Sequence, residues 1–304
     1  ALEMAEYADR IGIDRILLGE HHGSEEGYLP SPFVMGAAMA GRTKRIGILL
    51  SAIILPFHDP VEVAEQIAVL DHASGGRLEV VFGAGYVPAE FRRFGVPFAE
   101  RGRRLDEGLD VVLRALKGER FEFHKREVFV RPLPLQRPHP PLFVAGGVEA
   151  AARRAARFGL GFAPMHDALW GVYDEECRKL GREPGRKLGV SGPIAVHVCE
   201  DPEVGWAELK PHILHVAETY RRWAAEAGST NSTYAGLIDW DAIRRSGKYR
   251  VVTPDECVVL AAEQAAKHSS LVFQPLMAGL DPEIGWKSLE LFATAVLPRL
   301  KAAA

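Results

Sequence analysis

The stretch from Ile46 to Tyr86 constrains the fold more than any other part of the chain. Ile46-Gly47-Ile48-Leu49-Leu50-Ser51-Ala52-Ile53-Ile54-Leu55 is an apolar run rich in β-branched residues. It lacks polar alternation, as expected of a strand covered on both faces. Pro56 stops it. Asp59-Pro60-Val61-Glu62 then reads as a helix start, with Asp59 as N-cap, Pro60 at the first helical position and Glu62 placed to bond back. Val61, Ala64, Ile67 and Ala68 make one apolar face, and Gly75-Gly76 ends the helix. A second apolar strand, Leu78 to Gly83, finishes in Ala84-Gly85-Tyr86. Strand, helix and strand within about forty residues make a βαβ unit, whose two strands run parallel.

The same rhythm recurs. Residues 1–12 have helical spacing, with Gly12 as the stop. An α/β chain ordinarily leads with a strand, so a first strand is expected upstream of residue 1. Arg15 to Gly19 is a short strand ending in Glu20-His21-His22, and Phe33 to Ala40 is a helix. After Tyr86 the segment to Pro97 reads as a loop anchored by Phe91 and Phe94. The helix that follows carries Leu105, Leu109, Val112 and Leu116 on one face. Arg101, Arg103 and Arg104 crowd its first turns, where they oppose the helix dipole and call for an anionic neighbour. Phe121, Phe123, Val128 and Val130 alternate around His124-Lys125-Arg126, the pattern of a β-hairpin, and a proline-rich return follows. Strands at Leu142–Ala145, Gly161–Ala163, Pro193–Val198 and Leu271–Phe273 continue the series, with helices at Glu149–Arg157 and Ala168–Leu180 and after Asp281-Pro282. Residues 200–258 are the least regular part, and Gly228 to Tyr234 reads as polar and mobile. With the strand expected upstream, the count reaches that of a (β/α)8 TIM barrel: one domain over 1–304, with insertions at about 119–141 and 200–258. An open doubly wound sheet suits the strands equally well but leaves that count unexplained.

Composition excludes several classes. A net charge of -3 gives no reason to expect nucleic acid or a membrane surface as partner. No run approaches the roughly 18 apolar residues that a membrane span needs, and no signal peptide is read before the first helix. Cys177, Cys199 and Cys257 are scattered without metal-ligand spacing, which suits reduced thiols in the cytoplasm and gives no metal site.

Reactive groups in a barrel gather at the carboxyl ends of the strands. Those ends read Glu20-His21-His22, Ser51-Ala52, Gly83-Ala84-Gly85, Gly146-Gly147, Met165-His166, His197 and Gln274–Met277. A histidine is the usual acid or base near neutral pH, and an adjacent carboxylate fixes its tautomer; a histidine satisfied in a loop is the plainer alternative. Gly146-Gly147 before a helix lets backbone N–H groups meet a phosphate, although a tight turn has the same sequence. Gly83-Ala84-Gly85 either admits a ring system close to the backbone or turns the chain. It is not a dinucleotide fingerprint, because Val87-Pro88 interrupts a helix start there.

Gly19-Glu20-His21-His22, Tyr28-Leu29-Pro30-Ser31-Pro32, Ala52 to Pro56, His58-Asp59-Pro60-Val61, Ala64-Glu65, Leu70-Asp71, Ser74-Gly75-Gly76-Arg77-Leu78 and Gly83 to Tyr86 occur in that order. Arg101 to Glu107 and Val144 to Gly147 follow. This series resembles the luciferase-like monooxygenase superfamily over nearly the whole chain, and Ser-Gly-Gly-Arg-Leu after a His-Asp-Pro-Val helix is its most specific part. The resemblance implies a (β/α)8 barrel that binds a reduced flavin, either FMN or the deazaflavin coenzyme F420. It gives Glu20 and His21 as the catalytic pair, with His21 as acid/base. Ser51-Ala52 falls where the family keeps a non-prolyl cis peptide beneath the flavin. Gly146, Gly147 and Val148 match the phosphate-binding turn, and Ala84 and Gly85 lie along the cofactor. Ala84 replaces a flavin-contacting arginine, so Arg101 or Arg104 supplies that contact or it is absent. His22, Tyr86 and Met277 are the substrate-side candidates, with Phe57 and Met165 as further apolar residues. A flavin reductase and a second copy of the chain are the implied partners. The expected activity is oxidation of a small organic substrate with reduced FMN and oxygen. F420-dependent hydride transfer is the first alternative and a non-catalytic flavin-binding protein the second. A barrel aldolase would need a Schiff-base lysine, and none stands at these strand ends.

Overall fold

Helix and strand alternate from the first residues of the computed structural model, which describes residues 1–189, 192–229, 234, 236–267 and 269–303. The chain divides into two compact units, Ala1–Leu188 and Gly189–Ala304. The first contains α1 (Leu2–Ile11), β1 (Arg15–Leu18), α2 (Pro32–Arg42), β2 (Gly47–Ile54), α3 (Pro60–Ala73) and β3 (Leu78–Gly83). It continues with α4 (Pro88–Arg93), α5 (Arg101–Leu116), β4 (Phe121–Phe123), β5 (Arg126–Val128), β6 (Leu142–Gly146), α6 (Glu149–Phe158), β7 (Gly161–Pro164) and α7 (Leu169–Lys179). Five strands form one parallel sheet in the order β1-β2-β3-β6-β7. All five carboxyl ends therefore lie along one edge.

Local chemistry explains the central βαβ unit. Asp59 Oδ1 accepts from the Val61 N–H at 2.9 Å and caps α3. Glu62 does not bond back to the cap; it accepts from Gln66 one turn further on, at 3.0 Å. Gly75 and Gly76 have φ of 66° and 80°, so the chain leaves α3 through two left-handed residues. Arg77 then ties three elements together, donating to Ser74 O, to Thr43 Oγ1, and to the carbonyls of Ile46, Ala40 and Thr43. The specific Ser-Gly-Gly-Arg-Leu run thus serves as a clamp between the end of α2 and the start of β2. Val80, Val81 and Phe82 are fully buried, the signature of a strand covered on both faces. The Ser51–Ala52 peptide is cis, and the β2–β3 register shifts between Ser51 and Ile53.

The β4–β5 hairpin turns at His124 and Lys125, as its alternation indicates. The segment after Tyr86 is not a plain loop: Pro88 opens α4, with the proline in the first turn, where its missing N–H costs nothing. Phe91 is buried, whereas Phe94 is 42% exposed. Of the arginines that crowd the first turns of α5, Arg103 pairs with both Glu100 and Glu107.

The second unit contains β8 (Ala195–Val198), α8 (Pro202–Glu226), α9 (Trp240–Arg245), β9 (Tyr249–Val252), α10 (Pro254–Ala266), α11 (Pro282–Leu291) and α12 (Leu297–Ala303). β8 and β9 pair in parallel. Two expectations change here. Residues 200–258 are mostly regular, with a 25-residue helix and a parallel strand. The strand read at Leu271–Phe273 is only a bridge between Phe273 and Val196. The reading of Gly228–Tyr234 as mobile falls largely on residues 230–233, outside the described residues. Among the described residues no helix is long and apolar enough to cross a membrane.

Candidate functional site

The carboxyl edge of the first unit's sheet carries little side-chain bulk. A Cβ on Gly19, just after β1, would come 3.3 Å from the Ser51 carbonyl, and one on Gly83 would come 3.3 Å from Ala52 Cβ. Gly85 has φ 75°, and a Cβ there would meet Ile54 and Phe91 at 2.8 and 2.9 Å. Ala52, Ala145 and Ala163 lie on one face above the deeper Leu49, Val81 and Phe143. The rim of β2, β3, β6 and β7 is therefore a shallow apolar shelf.

Two polar clusters stand at the β1 end of this shelf. In the first, His21 is 8% exposed and its Nδ1 lies 2.9 Å from Glu90 Oε1. The same oxygen accepts the His22 backbone N–H at 2.9 Å. A carboxylate accepting two hydrogen bonds places the ring hydrogen on Nδ1 of His21. Tyr28 and Tyr86 flank the imidazole edge-on, with centroids at 4.7 and 6.0 Å. Burial, the Glu90 charge and Tyr28 raise the Tyr86 hydroxyl well above its ordinary pKa, so it stays a neutral phenol.

The second cluster is centred on Glu20, which is 3% exposed. Its Oε1 accepts from His22 Nε2 at 2.8 Å and His58 Nε2 at 2.7 Å, and its Oε2 accepts the Ile54 N–H at 2.7 Å. Burial pushes the carboxyl up, but these hydrogen bonds and the His58 charge outweigh it and hold the group at about 2. Both imidazoles contact the carboxylate directly, and among the described residues no group of three or more such side chains is arranged for a metal ion.

This geometry corrects the adjacent-pair reading. The carboxylate on His21 is Glu90, 69 positions away, and Glu20 serves His22, His58 and β2 instead. Glu90 escapes a sequence reading because α4 looks like a loop. Its signals are Pro88 at the first helical position and an acid beside the buried Phe91. His22 is committed to Glu20, and its ring meets Phe94 edge-on at 4.6 Å.

The remaining candidates are spread along the edge. Gly146-Gly147-Val148 leads from β6 into α6, whose N-terminus has no side-chain cap. Glu149, the acid in that first turn, is held by Arg153 at 2.8 Å. A Cβ on Gly146 would lie 2.5 Å from Ala151 Cβ, so close packing requires the glycine. The Met165 N–H donates to the Gly146 carbonyl at 3.1 Å and fixes the turn to the end of β7. Beside it, His166 Nε2 is buried without a hydrogen-bond partner among the described residues. Arg101 donates to the Phe98 carbonyl and lies 4.0 Å over the Phe98 ring, while Arg104 approaches Glu100 at 3.5 Å. Met277 belongs to the second unit, where it is 7% exposed and lines a cavity of about 20 Å³ with His197. Burial lowers His197 to about 4, so it is neutral near pH 7.

A parallel α/β sheet with polar clusters on its carboxyl edge defines a general class, that of α/β proteins whose ligand site lies on the strand rim. Comparison with known proteins narrows it. The luciferase-like monooxygenase family model matches residues 1–263. The 4-hydroxyprotoasukamycin monooxygenase of Streptomyces nodosus subsp. asukaensis is 28% identical over 98% of this chain and 85% of its own. Monooxygenase RslO1 from Streptomyces bottropensis, a solved structure, is also 28% identical, with TM-score 0.77 over 98% of this chain and 92% of its own. The oxygenating constituent of 3,6-diketocamphane monooxygenase from Pseudomonas putida, solved with FMN, shares the fold at TM-score 0.74 and 20% identity, over 98% of this chain and 92% of its own. So does an F420-dependent secondary alcohol dehydrogenase, at TM-score 0.67 and 19% identity, over 97% and 93%. The chain belongs to the luciferase-like monooxygenase family, and its α/β architecture is that family's fold.

Proposed function

We propose that the protein is a flavin-dependent monooxygenase that acts on a small organic substrate with reduced FMN and molecular oxygen. The carrying observation is the buried His21–Glu90 pair at the end of a shelf of small residues. The residues suit a planar ring: Ser51, Ala52, Ala84 and Gly85 carry small side chains or none, and the Gly146-Gly147-Val148 turn leads into a helix N-terminus without a side-chain cap, which can face a phosphate. Reduced FMN, when bound, supplies the electrons that activate oxygen.

The chain's own groups manage protons and water. Glu90 holds the hydrogen on Nδ1 of His21, so the working proton is exchanged at Nε2. Tyr28 and Tyr86 orient the ring and cover it. Glu20 is the anchor that keeps His22, His58 and the end of β2 in place. Three further readings belong with this one. A separate flavin reductase delivers the reduced cofactor. The chain works in the cytoplasm, where Cys177, Cys199 and Cys257 stay free. It self-associates through the exposed apolar face of α2, formed by Val34, Ala37, Ala38 and Gly41.

Anaerobic titration with reduced FMN and with reduced F420, followed by absorbance, tests the cofactor. The proposal expects one equivalent of reduced FMN to bind. Binding of reduced F420 alone would replace it with hydride transfer. Oxygen uptake by the loaded protein, with substrate present, separates an enzyme from a carrier.

A further inference from the structure

A groove of about 300 Å³ is framed by the first turns of α3 and α5 and by the tip of the β4–β5 hairpin. Arg103, Arg104, Arg126, His58 and His124 line it, together with two acids, Asp59 and Glu107. Each acid is already paired, Asp59 with Arg126 and Glu107 with Arg103, both at 2.6 Å. Arg103 also takes Glu100 Oε2 at 2.6 Å, which leaves Arg104 only a 3.5 Å approach to that same oxygen. Among the described residues the Arg104 Nε makes no hydrogen bond, and the side chain is 40% exposed beside the groove. A guanidinium whose one acid contact is long keeps donors for an incoming oxyanion.

The hairpin tip supplies a second donor. His124 and Lys125 hold left-handed backbone, with φ 48° and 61°, and the His124 ring lies 4.1 Å from that of Phe123. Phe123 and the Leu55-Pro56 turn form the apolar side. A guanidinium fork and an imidazole select a tetrahedral oxyanion, and the apolar side with this volume admits a small body behind it. We propose that this groove binds a small phosphate monoester, its phosphate on Arg104 and His124 and its apolar body against Phe123. His58 links the groove to the Glu20 cluster, since it lines the one and holds the other at 2.7 Å. The groove begins just beyond the end of β2, and of the residues read as cofactor contacts only Arg104 lines it.

Calorimetric titration of the full chain with phenyl phosphate, inorganic phosphate and phenol tests the inference, each run with and without saturating FMN. The expected result is one phenyl phosphate per chain, at least tenfold tighter than inorganic phosphate, with phenol not bound and FMN not competing. Arg104→Ala and His124→Gly should each weaken phenyl phosphate at least fivefold. Glycine accepts the left-handed backbone at position 124, so this variant keeps its fold while losing the donor. Full competition by FMN, or affinity unchanged in both variants, would overturn the proposal.

Discussion

Replacing Glu20 with glutamine removes the charge at the most heavily bonded carboxylate of the sheet edge. Three donors converge on that group, from His22, His58 and Ile54. Its folded pKa of about 2, against an ordinary 4.5, corresponds to stability on the order of 3 kcal/mol at neutral pH. The sign follows from the depressed value: the contribution is complete above about 4.5 and is lost as pH falls towards 2. Glutamine keeps the shape and can still accept from Ile54, so the measured loss at pH 7 should be about 2–3 kcal/mol. Urea unfolding at pH 7, 5 and 3 is the assay, with hydrogen exchange of the β2 amides reporting the first unit separately. The gap between wild type and Glu20→Gln should be clearly smaller at pH 3 than at pH 5. A gap below about 0.5 kcal/mol at pH 7, typical of surface substitutions, would refute the reasoning. So would a gap independent of pH.

Other substitutions separate catalysis from architecture. Glu90→Gln keeps an acceptor for the His22 N–H but removes the charge from His21; turnover should fall roughly tenfold to a hundredfold with cofactor affinity retained, as steady-state kinetics and titration would register. Gly85→Ala must adopt φ 75° with its Cβ 2.8 Å from Ile54, and should destabilise the fold by about 1–3 kcal/mol in urea unfolding. Arg77→Ala deletes five hydrogen bonds of the α2–β2 clamp, costing about 2–4 kcal/mol while leaving affinity for reduced FMN unchanged.

Much of the first unit was legible because its signals are local. An unbroken apolar run gave β2, Asp59-Pro60 opened α3, and paired glycines closed it. Hydrophobic alternation around His124-Lys125 gave the hairpin. What failed was of two kinds. Short helices behind a proline, such as α4, carry too few residues to show a period, and Glu90 went unnoticed with it. Between residues 200 and 258, β9 is only four residues long, and α10 begins at a Thr253–Glu256 capping box that follows it without a loop. Pairing within the candidate site was not legible either. Glu20 adjoins His21 in sequence, yet successive residues at a strand end point to opposite sides. Only the fold brings Glu90 to His21 and His58 to Glu20.

The central claim is that His21, held by Glu90, exchanges the working proton beside bound reduced FMN. The pH dependence of reoxidation of protein-bound reduced FMN, in stopped flow, tests it most directly in the wild type and in His21→Ala. The account predicts that both proteins bind reduced FMN within about threefold of each other, and that one titrating group in the wild-type profile disappears in the variant. Identical profiles in the two proteins, or no binding of reduced FMN to the wild type, would contradict it.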